Sequence, residues 1–157
     1  MKKNLLVCVM AAAAVFTLTG CGNKDEKKDE STTTAKQEQK LQCTLAADGN
    51  SSKFSFVFED DKISKVTVTN TEKKKDEKTA KKEYEQNSKK VGEYNKNKGV
   101  TASASYSGTL VTTSLTYTVA SLDETSKALY NETYGEIADK GMEAIKSDLT
   151  AAGYTCK

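Results

Sequence analysis

From residue 41 the chain alternates apolar and polar positions. Leu41, Cys43, Leu45 and Ala47 fall in one phase, which predicts a strand with Cys43 on its buried face. Asp48-Gly49-Asn50 is a turn signal. Phe54, Phe56 and Phe58 then alternate with Lys53, Ser55, Val57 and Glu59, a second strand with three aromatics facing the core. Glu59-Asp60-Asp61-Lys62 makes the next turn, and residues 63–71 a third strand with Val66 and Val68 inward. The three form an antiparallel meander with one wet face.

Across residues 72–98 the period changes. Ala80, Tyr84, Val91 and Tyr94 stand at helical spacing among Lys and Glu, a narrow apolar stripe. Glu77 with Lys81, and Glu85 with Lys89, are favourable i,i+4 pairs. Gly92 weakens the helix interior, and Gly99 suits a C-terminal cap. Two strands follow over 100–106 and 109–119, joined at Ser107-Gly108, with Val111, Leu115, Tyr117 and Val119 on one face. Ser121-Leu122-Asp123-Glu124 fits a capping box opening a helix. A last helix over 141–152 buries Met142, Ile145 and Leu149, and Tyr154-Thr155-Cys156 returns toward the sheet. The expected fold is α+β: about five antiparallel strands in the order β-β-β-α-β-β-α-α, with the helices on one face.

The first forty residues do not share this patterning. Lys2 and Lys3 precede an apolar, small-residue run over 5–18, too short to span a bilayer but right for a secretory signal. It ends in Leu18-Thr19-Gly20-Cys21, which resembles the lipobox of bacterial lipoproteins. That resemblance implies cleavage before Cys21, acyl chains on Cys21, and a membrane anchor facing away from the cytoplasm. Residues 22–40 mix charge with Ser, Thr and Gln and have almost no apolar side chain, so they are expected to form a disordered tether reaching about 25 Å. The expected organisation is a signal peptide over 1–20, an anchored tether over 21–40, and one globular domain over 41–157.

Composition then narrows the chemistry. The chain has 157 residues with no His, Pro or Trp, and every one of its 24 basic residues is Lys. Without His there is no Ser-His-Asp or Cys-His relay and no imidazole ligand; without Arg there is no bidentate phosphate clamp. The net charge of +2 vanishes once Lys2 and Lys3 are removed, and with it any electrostatic case for a nucleic-acid partner. Cys8 lies in the signal and Cys21 is the anchor, leaving Cys43 and Cys156 as an even pair in an exported domain. A disulfide is the natural assignment, two separate buried thiols being the rival. Its loop of 113 residues would contribute about 4–5 kcal/mol in the chain-entropy model.

The pattern resembles the YehR-like family of small bacterial lipoproteins. The matching stretches are residues 53–66 (KFSFVFEDDKISKV), residues 92–118 with Tyr94 and Gly99-Val100, and residues 149–154 (LTAAGY). The resemblance implies an α+β domain behind a lipid anchor and no activity, ligand or site. Cys43 and Cys156 depart from the family pattern, so their pairing rests on the compartment argument.

Four features are candidates for function. Residues 72–98 hold ten Lys against six acids, a surplus that could meet an anionic surface but that fits a solvated helix face better. Glu59-Asp60-Asp61 offers hard oxygens, but without the spaced ligands of a calcium loop it reads as a hairpin turn; no metal site is expected. Tyr106, Tyr117, Tyr130, Tyr134 and Tyr154 are candidates for the lining of a ligand groove. Ser and Thr are plentiful, but Lys and carboxylates are the only bases available, so catalysis is not expected. No cofactor is implied. The expected function is non-covalent binding of an envelope component or protein partner, with a small-ligand receptor accessory to a transporter, or a structural envelope protein, as alternatives.

Overall fold

The computed structural model describes residues 38–157; the expected signal peptide over 1–20, the expected anchor at Cys21 and most of the expected tether lie outside the described residues. Six strands form one sheet: β1 Glu38–Ala47, β2 Asn50–Glu59, β3 Lys62–Lys73, β4 Val100–Ser107, β5 Leu110–Thr118 and β6 Thr155–Cys156. Their order is β4-β5-β3-β2-β1-β6, every neighbouring pair antiparallel. Three helices, α1 Glu77–Tyr94, α2 Glu124–Ala138 and α3 Met142–Ala151, complete the α+β architecture. The expected strand count of about five misses only β6, a two-residue strand. β1 begins at Glu38, inside the stretch expected to be tether.

The period-two pattern decides which face is covered. Leu41 and Cys43 of β1, Phe54, Phe56 and Phe58 of β2, Val66 and Val68 of β3 and Tyr117 of β5 are buried together with Tyr130 and Tyr134 of α2 and Ile145 of α3. The opposite face is Thr, Ser and Lys, and there Thr67 and Thr116 share a hydroxyl hydrogen bond at 2.9 Å, as do Thr71 and Thr112 at 3.1 Å. Ile63 and Val66 are three apart, which in a regular strand would put them on opposite faces. A bulge opposite Val57 and Phe58 absorbs Ser64, whose hydroxyl donates to the Val57 carbonyl at 3.2 Å, and both residues reach the core.

Helix ends follow local chemistry, with three departures from the sequence expectation. α2 is capped by Asp123, whose carboxylate accepts from the Ser126 amide at 2.8 Å and hydroxyl at 2.7 Å. Ser121 lies instead in a short 3-10 turn, because extended Leu122 is drawn into the core ahead of the helix. Gly99 does not cap α1, which runs unbroken through Gly92 and ends at Asn95. A Cβ on Gly99, at φ +78°, would collide with the Ser121–Leu122 backbone. The pairs Glu77–Lys81 and Glu85–Lys89 are not closed; Lys74 with Glu83 and Lys96 with Glu93 are, and exposed pairs gain little from closing.

The cap of α3 comes from far away in sequence. Its N-cap is Gly141, without a side chain, and the Asp61 carboxylate in the β2–β3 turn accepts from the Met142 amide at 3.0 Å. Asp60 and Asp61 both have positive φ, as a tight hairpin turn requires, and a Cβ on Gly141 would run into the Asp61 carboxylate. At the other end of α3, Cys156 forms a disulfide with Cys43, its register partner across β1 and β6. Gln42 and Lys157 exchange backbone hydrogen bonds beside it at 3.0 and 2.9 Å.

Asp61→Ala should lower stability by about 1–2 kcal/mol through loss of the cap, measured by urea unfolding, while Asp61→Asn stays within a few tenths of wild type. Equal losses for both would show that the carboxylate oxygen does not cap α3.

Candidate functional site

The helix-facing side of the sheet changes character along its length. Near the β2–β3 turn it presents Phe56, Phe58, Val66 and Tyr117, all buried. Toward the β1–β2 turn the same phase of each strand delivers Leu45, Ser52, Asn70 and Thr113, which are consecutive register partners across β1, β2, β3 and β5. Above the first part of this row lies an open cleft of about 570 Å³ lined by Leu45, Ser52, Phe54, Asn70, Glu72 and Tyr154, among others.

Each of these side chains is placed by a nearby constraint. Tyr154 follows α3 and precedes the disulfide; its ring meets Phe54 edge-on at 5.5 Å and 61°, and its hydroxyl donates to Ser52 Oγ at 3.4 Å. Glu72 bonds the Lys74 ammonium at 2.5 Å, and Lys74 also reaches Glu83 of α1 at 2.7 Å. Burial alone would lower the Lys74 pKa, but the bonds and charges of the two glutamates outweigh it and the net shift is upward. Asn50 accepts the Lys73 amide at 2.8 Å, holding the hairpin turn against the end of β3.

Asn70 is different. It is only 6% exposed, and its side-chain Oδ1 is buried without a hydrogen-bond partner among the described residues. An unpaired buried carbonyl costs about 1–3 kcal/mol, and native proteins carry few of them. Asn70 also lines the cleft, so a side-chain amide with an unpaired oxygen stands at its floor.

The five candidate tyrosines do not come together. Tyr117, Tyr130 and Tyr134 form a closed triad with centroid separations of 5.6–5.7 Å, and all three are buried core residues. Tyr106 packs on Tyr84 at 5.0 Å beneath α1. Tyr154 alone of the five lines this cleft. The groove residues missed from sequence were Ser52 and Asn70. Their signal was a polar residue in the apolar phase of a strand, just before Phe54 and just after Val68.

The remaining candidates take simple places. Ala80 is the one buried residue of α1, and Lys78, Lys81, Lys82, Lys89 and Lys90 are exposed. Glu59-Asp60-Asp61 is the β2–β3 turn with its capping carboxylate. Among the described residues no cluster of three or more Cys, Asp or Glu could hold a metal ion, and no helix is long and apolar enough to cross a membrane.

No protein-family model matches the chain, and no curated protein matches its sequence. Two solution structures share the fold. One is a protein from Streptococcus pneumoniae TIGR4, with TM-score 0.59 and 14% identity over 93% of this chain and 100% of that one. The other is the Escherichia coli YehR protein, with TM-score 0.58 and 19% identity over 78% of this chain and 93% of that one. The fold is therefore YehR-like, and at these identities the likeness is one of fold alone.

Two predictions follow from these placements. Asn70→Leu removes the orphaned carbonyl at similar volume, so stability in urea should hold or rise by about 1–2 kcal/mol; a loss of that size would mean Asn70 is satisfied in the folded protein. The second concerns alkaline pH. Burial pushes the Tyr117 phenol up to about 12 and raises Tyr130 and Tyr134 as well. The unfolded chain, with phenols near the ordinary value of about 10, then loses protons first, so stability is full below pH 10 and falls as pH rises toward 12. Circular dichroism should show unfolding in that window, and Tyr134→Phe should flatten the dependence. Triad phenolate absorbance appearing while the fold persists would contradict this.

Proposed function

We propose that the chain is an extracytoplasmic lipoprotein, anchored through acyl chains on Cys21, whose domain binds a small ligand in the cleft between the β1–β2 hairpin and Tyr154. One observation carries the binding reading: an open cleft of about 570 Å³ whose lining includes Asn70, a nearly buried amide with an unpartnered oxygen. Small-ligand sites occupy about 300–1,000 Å³ with a few converging polar groups in an apolar lining. Phe54, Leu45 and the Tyr154 ring supply the lining here, and Asn70 and Ser52 the polar groups. This favours a receptor over a purely structural envelope protein, for which an unsatisfied group under a cleft would be a cost without a return.

Binding without turnover fits the chemistry of the cleft. Glu72 is engaged by Lys74. Ser52 meets a tyrosine hydroxyl rather than a base. The whole chain has no His to serve as one. The anchor reading rests on Leu18-Thr19-Gly20-Cys21 after a signal-like run.

Labelled palmitate should enter the full chain and not its Cys21→Ser variant; equal labelling would overturn the anchor. For the cleft, millimolar cyclohexanol, phenol and acetamide should shift the amide resonances of Leu45, Ser52, Asn70 and Tyr154. Ala47→Trp at the rim should abolish those shifts. Probes that leave these four residues unmoved would overturn the binding reading.

A further inference from the structure

We infer that the ligand of this cleft is a neutral sugar, one pyranose ring lying against the Tyr154 ring with a hydroxyl bonded to the Asn70 amide. The inference rests on the cleft being the binding site and adds the class of ligand.

The floor sets the first requirement. Asn70 lines the cleft with its side chain nearly buried and Oδ1 unpartnered, so a ligand that pairs with this amide must bring a compact polar group down to the surface of β3. A hydroxyl does this, and because it also accepts, it satisfies the side chain whichever way the amide is turned. Ser52 Oγ, on the register partner of Asn70, offers a second hydroxyl contact beside it; its bond to Tyr154 at 3.4 Å is long enough to be exchanged for a better one.

The wall sets the second. Tyr154 is half-buried, and its ring is pinned edge-on to Phe54 two residues before the disulfide. An aromatic face fixed in advance costs little entropy to use. Its electron-rich surface attracts the weakly positive C–H groups on one side of a pyranose. Leu45, 38% exposed, extends the apolar surface for a methyl or methylene substituent.

Charge sets the third. Glu72 shares the Lys74 ammonium with Glu83, and the other charged residues lining the cleft are Asp48 and Lys73, one of each sign. The lining offers no basic cluster to an anion, and a cation would have to compete with Lys74 for Glu72. A peptide finds less backbone to pair with: β2 and β3 are interior strands with ladders on both sides, and the edge of β1 beside the cleft, past its ladder with β6, is three residues long.

Saturation-transfer NMR on the acylated full chain in detergent micelles tests this with four probes: methyl β-glucoside, methyl N-acetyl-β-glucosaminide, trialanine and cyclohexanol. The expected result is transfer to the ring C–H protons of at least one glycoside and none to trialanine. Asn70→Leu, which should fold as well as wild type, and Tyr154→Leu should each weaken the glycoside at least tenfold, and Ala47→Trp should abolish it. Trialanine or cyclohexanol signals that vanish in Ala47→Trp, with no glycoside signal, would overturn the sugar and leave the cleft reading standing. Glycoside signals indifferent to all three variants would place the sugar elsewhere and overturn the inference. Silence from all four probes would overturn both readings.

Discussion

Everything in this fold depends on burying one face of a six-stranded sheet beneath three helices. The strands are amphipathic with period two, and the Thr, Ser and Lys face needs no cover. The other face must be covered, and the helix layer is small for the task. α1 takes β4 and β5, α2 sets Tyr130 and Tyr134 on Tyr117, and α3 takes β1. Over β2 and β3 the sheet is covered at the Phe58 end and open at the Asn70 end. The composition of the strands matches that division: Phe and Val where a helix lies above, Ser52, Asn70 and Glu72 where the cleft opens.

The opening is held in shape by how α3 is fastened. Its N-terminus is tied by Asp61, eighty-one residues from the amide it caps. Its C-terminus is tied by Cys156 to Cys43, across a sequence separation of 113. Both ties reach back to the first meander, one at the β2–β3 turn and one in the middle of β1, so α3 cannot slide along β1 without breaking one of them. Tyr154 inherits its position from this arrangement. Its ring is set by a covalent bond two residues away rather than by helix packing, and that makes it a fixed wall instead of a mobile lid.

Much of this was legible in the sequence, because its strongest signals were local. Alternation over 54–58 gave β2, and the polar turns gave the hairpins. Helical spacing gave α3 with Ile145 inward, and the cysteine count pointed to the pairing. What could not be read depended on contacts between distant segments. Asp61 looked like one of three acids in a turn, since nothing near it in sequence shows that Met142 lies above. Tyr106, Tyr117, Tyr130 and Tyr134 looked alike as amphipathic rings, and only the packing of α2 on β5 separates a sealed triad from a wall. Leu122 displaced the cap from Ser121 to Asp123 because a buried leucine outweighs one capping bond.

Ser52 and Asn70 were readable in a way the others were not. A strand that must bury one face should keep apolar residues in that phase to its end, and local choices normally agree with the global fold. β2 breaks the rule at Ser52 and β3 at Asn70, and register makes them neighbours. One lapse would be noise; two lapses paired across adjacent strands, one carrying a carbonyl with no partner, place the exception at a single point of the molecule. A leucine there would cover the floor and close the question of a ligand. The chain instead carries a buried amide at a cost of about 1–3 kcal/mol on the lining of the cleft, a cost that a ligand would offset under the proposed binding role.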